Sequence, residues 1–206
     1  ANEPGDKEEE VILKYVEKYP DNIVYKRLDN DGGVYDTWNQ AIAMSDGEYI
    51  TNINCDDRRA PHALEMQARQ LLTKQGVDLV YNDSYMVTEP NLQWEDMSDV
   101  TQRYNFDEFS KEAMLRGNLP HNNPMWRRSL HDAHGMFETK YRSASDWEFW
   151  LRCVFGGAKF KKINEILGVY YFNPEGVSTN KKTETSKRKE EFEIFKKYQK
   201  VFLESK

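Results

Sequence analysis

Apolar residues recur along the first 83 residues with two periods, one helical and one typical of strands. Helical stripes predict three helices, over residues 7–19, 34–45 and 61–76. Short apolar runs between them predict three strands, over residues 22–27, 48–53 and 77–83. The third helix is predicted to direct four side chains into the core, Leu64, Ala68, Leu71 and Leu72. This alternation favours an α/β fold with a Rossmann-like, mostly parallel sheet flanked by helices, whose ligands bind where the strands end.

The second half of the chain has a different pattern. Residues 84–104 predict a long polar and aromatic loop, and loops of this length are usually functional. Further elements are predicted in this order: a helix over 106–116, a strand over 124–128, a short helix ending near Gly135, a helix over 146–156, strands over 159–163 and 166–172, and a charged helix over 183–204 with Phe192, Phe195 and Phe202 on one side. No clear linker divides the chain, so we expect a single domain of residues 1–206.

Composition narrows the class of protein. The chain has 206 residues and a formal net charge of −6, which gives no general attraction to nucleic acid. Its two cysteines are too few for a disulfide framework and fit a reducing compartment. No signal peptide or membrane-spanning run is evident, so we expect a cytoplasmic protein.

Two adjacent carboxylates follow the predicted strand 48–53. The segment EYITNINCDDRR places Asp56 and Asp57 on a short loop before Pro61. Such a pair can hold a hard divalent cation at a diphosphate. It can equally cap the next helix, with Arg58 and Arg59 balancing its charge.

A third carboxylate, Asp146, lies in the sequence SASDWEFW at the start of a predicted helix. Ser145 and Glu148 have the spacing of a capping box, which indicates a well-capped helix. A carboxylate in this position is stabilised as the anion, so it is also available as a base.

Two long segments carry a family resemblance. The run NDGGVYDTWNQAIAMSDGEYITNINCDD and the later run HNNPMWRRSLHDAHGMFETKYRSASDWEFWLRCVFGG resemble GT-A glycosyltransferases of family 2, with similar order and spacing over residues 22–172. The resemblance implies a GT-A (nucleotide-diphospho-sugar transferase) fold. It divides the domain into a nucleotide-sugar-binding half (1–83), an acceptor and catalytic half (84–180) and a C-terminal helix (181–206).

The resemblance also implies roles for individual residues. Asp56 corresponds to a ligand of Mg²⁺ or Mn²⁺, and Asn54 stands where the family's metal-binding motif has its first aspartate. Asp57 is expected to support this loop or to contact the donor sugar. Asp146 corresponds to the general base that deprotonates the acceptor in an inverting transfer. The remaining expected contacts are Asp36 and Asn39 beside the nucleotide, and His121, Arg127 and Trp94 on the acceptor or pyrophosphate side.

These roles predict a nucleotide-diphosphate sugar as donor and a glycan or lipid-linked acceptor, the latter consistent with peripheral binding at the inner membrane face. From the residues alone, each role has a structural alternative: Asp36 and Asn39 on a solvent-exposed helix face, His121 and Arg127 at the surface, and Trp94 packing its loop.

The chain opens with ANEPGDKEEE where a strongly apolar strand is expected. We therefore expect a truncated sheet that self-association could complete. Two other classes stay open: a non-catalytic GT-A-like domain that binds glycans or partners, and a nucleotidyltransferase, which the absence of a visible Gly-rich phosphate loop disfavours.

Overall fold

The computed structural model describes residues 7–177 and 179–204, so the predicted opening segment 1–6 lies outside it. The helices are α1 (Glu8–Lys18), α2 (Val34–Met44), α3 (Ala63–Thr73), α4 (Lys111–Arg116), α5 (Ser129–His134), α6 (Ser145–Phe155) and α7 (Glu184–Glu204). The strands are β1 (Tyr49–Thr51), β2 (Arg58–Arg59), β3 (Leu79–Val87), β4 (Arg103–Tyr104), β5 (Met125–Arg127) and β6 (Phe160–Tyr171). None of the helices in this part of the chain is both long and apolar enough to span a membrane.

The described strands form one sheet in the order β1-β5-β3-β6-β2, with β4 paired to β3. Only the β3–β6 pairing is parallel, and the other four are antiparallel. The expectation of a mostly parallel sheet therefore needs correction. Because β5 runs antiparallel to both β1 and β3, the strands β1 and β3 share one direction, as the helix–strand alternation predicted. Strand β6, from the second half, runs in the same direction. The alternation could not reveal that a strand from the second half would insert between β1 and β3.

Helices cover both faces of the sheet. Consecutive strand residues point to opposite faces, so neighbouring residues of one strand belong to different cores. Val80, Met125 and Leu167 pack with Ala63 and Leu71 of α3 on one face. The larger core lies on the other face, where Leu79, Tyr81 and Trp126 of the sheet join side chains of α4, α5, α6 and α7. Each fully buried large apolar side chain stabilises the fold by roughly 1.5–3 kcal/mol relative to exposure. The second half therefore contributes most of the core.

The segment 22–27 is not the predicted strand. Val24 is 74% exposed, and the segment is attached to α1 through side chains. The Tyr25 hydroxyl donates to Glu9 at 2.6 Å, and Arg27 forms an ion pair with the same carboxylate at 2.5 Å. Residues 22–27 pair with none of the described strands, so side-chain contacts with α1 hold this segment in place of strand pairing.

Helix α3 is rotated relative to its predicted stripe. Leu64 and Leu72 are 50% and 73% exposed, whereas Ala63, Gln67 and Leu71 face inward. The amide of Gln67 explains the rotation, since it donates to Asn82 Oδ1 at 2.9 Å and to a backbone carbonyl at 2.7 Å. A buried polar group with satisfied donors is tolerated in the core, and an apolarity pattern cannot detect this.

Three further boundaries differ from the sequence prediction. The long loop 84–104 contains the end of β3, a 3₁₀ helix (Trp94–Asp99) and β4. The helix expected from residue 106 begins at Lys111, after Ser110 caps it. The two strands expected over 159–163 and 166–172 are one strand with an irregular register. On α7, Phe192 is exposed, and Ile194 and Tyr198 occupy the core instead.

The predicted capping box at the start of α6 is absent. Ser145 lies within the helix, and the side chain of Glu148 turns towards α7. This buried carboxylate binds Arg152 at 2.8 Å, Lys197 at 2.8 Å and the Tyr198 hydroxyl at 2.7 Å. Burial raises the pKa of Glu148, but the hydrogen bonds from these three partners lower it below its ordinary value overall. The ionised carboxylate thus attaches α6 to α7.

Candidate active site

A cavity of about 940 Å³ opens beside the end of β1, the start of α6, the end of β6 and the start of α7. Four of the residues predicted for the site line it: Asn54, Asp56, His121 and Asp146. Five do not: Asp36, Asn39, Asp57, Trp94 and Arg127. The fold therefore brings one carboxylate of the β1–β2 loop and the carboxylate at the start of α6 to the same space.

Asp146 lies in the first turn of α6 and is half-buried. Its Oδ1 accepts a hydrogen bond from the Tyr35 hydroxyl at 2.9 Å, and its Oδ2 accepts one from Asn118 Nδ2 at 2.7 Å. Burial raises the pKa of Asp146, even though these hydrogen bonds oppose the shift. The backbone amides of Trp147 and of Asp146 itself also lower this pKa, so the helix start contributes donors beside the two side chains. Burial thus outweighs the stabilisation of the anion that the helix start was expected to provide.

The β1–β2 loop separates its two carboxylates. Asp56 is exposed at the cavity, and its Oδ2 accepts a hydrogen bond from Asn173 Nδ2 at 3.2 Å. Asp57 is buried beneath the loop, where its oxygens accept hydrogen bonds from Asn54 Nδ2 at 2.8 Å and the Tyr171 amide at 3.1 Å. Of the two roles expected for Asp57, the contacts favour support of the loop over contact with a donor sugar.

Burial raises the pKa of Asp57 to about 6, against the hydrogen bonds from Asn54 and Tyr171, which lower it. Its protonation state therefore changes just below neutral pH.

The donor set around Asp56 fits a hard cation only with help from a ligand. Across residues 7–177 and 179–204, no three His, Cys, Asp or Glu side chains converge into a metal-binding group. Asp56 offers one exposed carboxylate. Asn54 offers its amide oxygen, because its amide nitrogen donates to Asp57. Mg²⁺ is often held by one or two carboxylates together with substrate phosphates and water. The residues present fit that arrangement.

Aromatic rings form another wall of the cavity. His121 contacts Tyr104 and Tyr170, each with ring centroids 4.9 Å apart, and it also contacts Phe106. Its backbone adopts φ 48°, a strained conformation for a side-chain-bearing residue. Burial lowers the pKa of His121, so the ring is neutral near pH 7. The His121 amide also approaches Asn118 Oδ1 at 3.4 Å, which links this wall to the partner of Asp146.

Asp36 and Asn39 lie on α2 but contact protein groups. Asn39 exchanges two hydrogen bonds with the backbone of Phe137, at 2.9 and 3.0 Å. Asp36 accepts a hydrogen bond from Gln40 one turn along the helix. The amide of Asn39 thus joins α2 to the α5–α6 connection. The contacts of Asp36 and Asn39 with a nucleotide stay predictions.

Arg127 has a structural position and lies outside the cavity. Its guanidinium donates to the carbonyls of Val77 and Leu71 at 3.0 and 2.5 Å, and to the Glu48 carboxylate at 3.1 Å. These contacts use three of the five N–H groups of the guanidinium and attach β5 to its neighbours. The acceptor or pyrophosphate role of Arg127 stays a prediction.

Trp94 packs its own loop. Its ring lies edge-on to Tyr85 and His62, with centroids 5.9 and 6.5 Å apart. It also packs against the apolar clusters on the α3 face of the sheet. These contacts favour the structural alternative, and stacking of Trp94 on a sugar stays a prediction.

Sequence reasoning missed three residues of the site: Tyr35, Asn118 and Asn173. Tyr35 lies in the first of the two segments that carry the family resemblance, near the start of a predicted helix. That position was the available signal that it could belong to the site. Asn118 and Asn173 follow the end of α4 and the end of β6 in irregular segments. No periodic pattern marks such positions, so only the fold reveals them.

The sequence model described as glycosyl transferase family 2 matches residues 2–137. The chain belongs to this family. It is 25% identical over 167 residues to an uncharacterised glycosyltransferase of Methanocaldococcus jannaschii, a match that covers 81% of this chain and 57% of the relative.

Two solved structures have a similar fold. TarS 1–349 of S. aureus, in complex with UDP-GlcNAc, has a TM-score of 0.60 at 17% identity, covering 84% of this chain and 48% of that one. A mannosyltransferase of Pyrobaculum calidifontis, in complex with GDP-Man and Mn²⁺, has a TM-score of 0.58 at 16% identity, covering 84% and 47%. These likenesses confirm the GT-A type of fold. The chain spans about half the length of the proteins it matches.

The raised pKa of Asp57 predicts a specific pH dependence of stability. The folded state binds this proton more tightly than the unfolded chain, whose aspartate has a pKa near 3.8. Stability from protonated Asp57 is therefore fully present below about pH 4 and is lost as the pH rises through about 6. The variant Asp57→Asn cannot titrate, so this slope should be missing from it.

Thermal unfolding between pH 4 and 7, with EDTA present, measures the difference between wild type and Asp57→Asn. Asp99→Asn is the control, since Asp99 is exposed and is not among the groups that shift the pKa of Asp57. Identical slopes in wild type and Asp57→Asn would contradict the buried, protonatable position of Asp57.

Proposed function

We propose that the domain transfers a sugar from a nucleotide-diphosphate sugar to an acceptor hydroxyl with inversion at the anomeric carbon. The carrying observation is that the Asp146 carboxylate and the exposed Asp56 carboxylate line one cavity. The complexes of TarS with UDP-GlcNAc and of the mannosyltransferase with GDP-Man support a nucleotide-sugar donor for this chain.

Asp146 acts as the general base in this proposal. Tyr35 and Asn118 each bond one of its oxygens, which fixes the plane of the carboxylate. One oxygen of this carboxylate takes the proton of the acceptor hydroxyl. The hydroxyl oxygen then bonds to the anomeric carbon while the bond from that carbon to the diphosphate oxygen breaks. A pKa raised towards the working pH strengthens Asp146 as a base.

Asp56 holds the donor end of the reaction. Its carboxylate, with the amide oxygen of Asn54, would bind Mg²⁺ or Mn²⁺ together with the diphosphate. The bound cation would neutralise charge on the departing nucleotide diphosphate. Asn173 donates to Asp56 and so orients the carboxylate from the far side of the cavity.

The aromatic wall favours a saccharide as the acceptor. Tyr104 and Tyr170 offer rings for the C–H face of a sugar, and these two rings and the neutral His121 ring are in mutual contact. Asn118 joins this wall to Asp146, so a sugar resting on the rings would present a hydroxyl near the base. Self-association and binding at a membrane surface stay predictions.

A thermal-shift panel with UDP, GDP, CDP and dTDP, each with and without Mn²⁺, tests donor binding. One nucleotide should raise the melting temperature, and only when Mn²⁺ is present. At a nucleotide concentration of 100 times its Kd, the free energy of unfolding should increase by about 2.7 kcal/mol. Asp56→Ala should abolish this shift, and Asp146→Asn should keep it. No shift with any of the four would contradict the proposal and favour the non-catalytic alternative.

With the donor so identified, Asp146→Asn should lower transfer by about 10²- to 10⁴-fold, because the amide cannot accept the hydroxyl proton. In wild type, kcat/KM should fall as the pH is lowered through the pKa of Asp146, which lies above the pKa of an ordinary aspartate. The exposed Asp99 provides the control, and Asp99→Asn should transfer normally. Unchanged transfer in Asp146→Asn would remove its assignment as the base.

The acceptor wall can be tested separately. Tyr104→Ala removes one ring face and should raise the acceptor KM about three- to tenfold, with the donor KM unchanged. Trp94→Ala is the matched control and should leave both constants unchanged. A rise in the donor KM alone would place the donor sugar, and not the acceptor, on this wall.

A further inference from the structure

The segment that leads into Asp146 is held by the C-terminal helix α7. One carboxylate oxygen of Glu190 accepts the Arg142 amide at 2.9 Å. Its other oxygen accepts the Ser143 amide at 2.9 Å and the Ser143 hydroxyl at 3.0 Å. A single side chain of α7 thus fixes two successive backbone amides just before the catalytic helix.

A second attachment lies just after Asp146. The buried Glu148 carboxylate binds Lys197 and Tyr198 of α7, as well as Arg152 of its own helix. Helix α7 therefore holds the chain on both sides of Asp146. The segment before Asp146 depends on Glu190 for these three contacts, whereas the core packing of Ile194 and Tyr198 holds α7 itself in place.

We infer that Glu190 is a positioning residue that sets the orientation of Asp146, which makes α7 a working part of the active site. The inference rests on the proposed function of Asp146 as base. The family match ends at residue 137, before α6 and α7 begin, so it assigns α7 no role. Hydrogen bonds to a charged acceptor are stronger than neutral ones, so one carboxylate can hold a loop that lacks other regular structure.

The effect on catalysis follows from geometry. If the 142–145 backbone relaxes, Asp146 moves relative to Tyr35 and Asn118, and small misplacements of a reacting group cost up to about 10²-fold in rate. Asp56 and Asn54 lie on another loop, so donor binding should not change. A residue with a merely structural role would lower the melting temperature without changing the properties of the Asp146 carboxylate.

The test compares Glu190→Ala and Glu190→Gln with Glu193→Ala. Glu193 lies one turn further along α7 and binds only the side chains of Tyr141 and Lys140. Glu190→Ala should lower kcat about 10- to 100-fold with the donor KM within about twofold. Glu190→Gln, which keeps one acceptor oxygen, should fall between Glu190→Ala and wild type, and Glu193→Ala should match wild type.

A turnover-independent readout completes the experiment: carbon NMR titration of the Asp146 carboxyl in each variant. Hydrogen bonds from Tyr35 and Asn118 lower the pKa of Asp146, so their loosening should raise it in Glu190→Ala relative to Glu190→Gln. Both variants lack the Glu190 charge, so the difference between them isolates the hydrogen bonds. Equal titrations in these two variants would overturn the inference. Absence of transfer in wild type would overturn the proposed function alone, because the titration does not need turnover.

Discussion

The buried charge of Glu148 is the constraint on which the arrangement of this domain depends. A carboxylate with 1% side-chain exposure must be compensated, and its partners come from two helices, Arg152 on α6 and Lys197 and Tyr198 on α7. Satisfying it fixes α6 against α7 and so fixes the first turn of α6, where Asp146 lies. The same requirement takes Glu148 away from a capping box, so the start of α6 is held by contacts from α2, from the segment after α4 and from α7.

Three carboxylates near one cavity acquire different chemistry from their surroundings alone. Asp57 is buried among Asn54 and the Tyr171 amide, and its pKa of about 6 suits a loop support. Asp56, one residue earlier, faces the cavity, and its carboxylate is proposed to bind a cation together with a diphosphate. Asp146 lies between these extremes: it is desolvated enough to raise its pKa, and the side chains of Tyr35 and Asn118 orient it. Exposure and partners, not residue type, separate the three roles.

Helix–strand alternation predicted α1, α2, α3, β1 and β3 with correct order, and the resemblance predicted the fold class and the family. The pattern failed where tertiary contacts decide. Residues 22–27 have strand composition but no described neighbour to pair with, and α3 turns Gln67 inward because its amide finds two acceptors. For the site, motif residues Asp56 and Asp146 reach the cavity. Arg127 and Asn39 do not line it; their side chains bind groups of distant segments, and sequence spacing carries no record of such contacts.

The central claim is that one base, Asp146, drives a single displacement at a donor held by the Asp56 loop. The configuration of the new glycosidic linkage tests it most directly, measured by proton NMR on the product before any spontaneous anomerisation. A single in-line displacement predicts inversion relative to the donor sugar. Retention of configuration would require a different mechanism and would contradict the assignment of Asp146 as the base of a direct transfer.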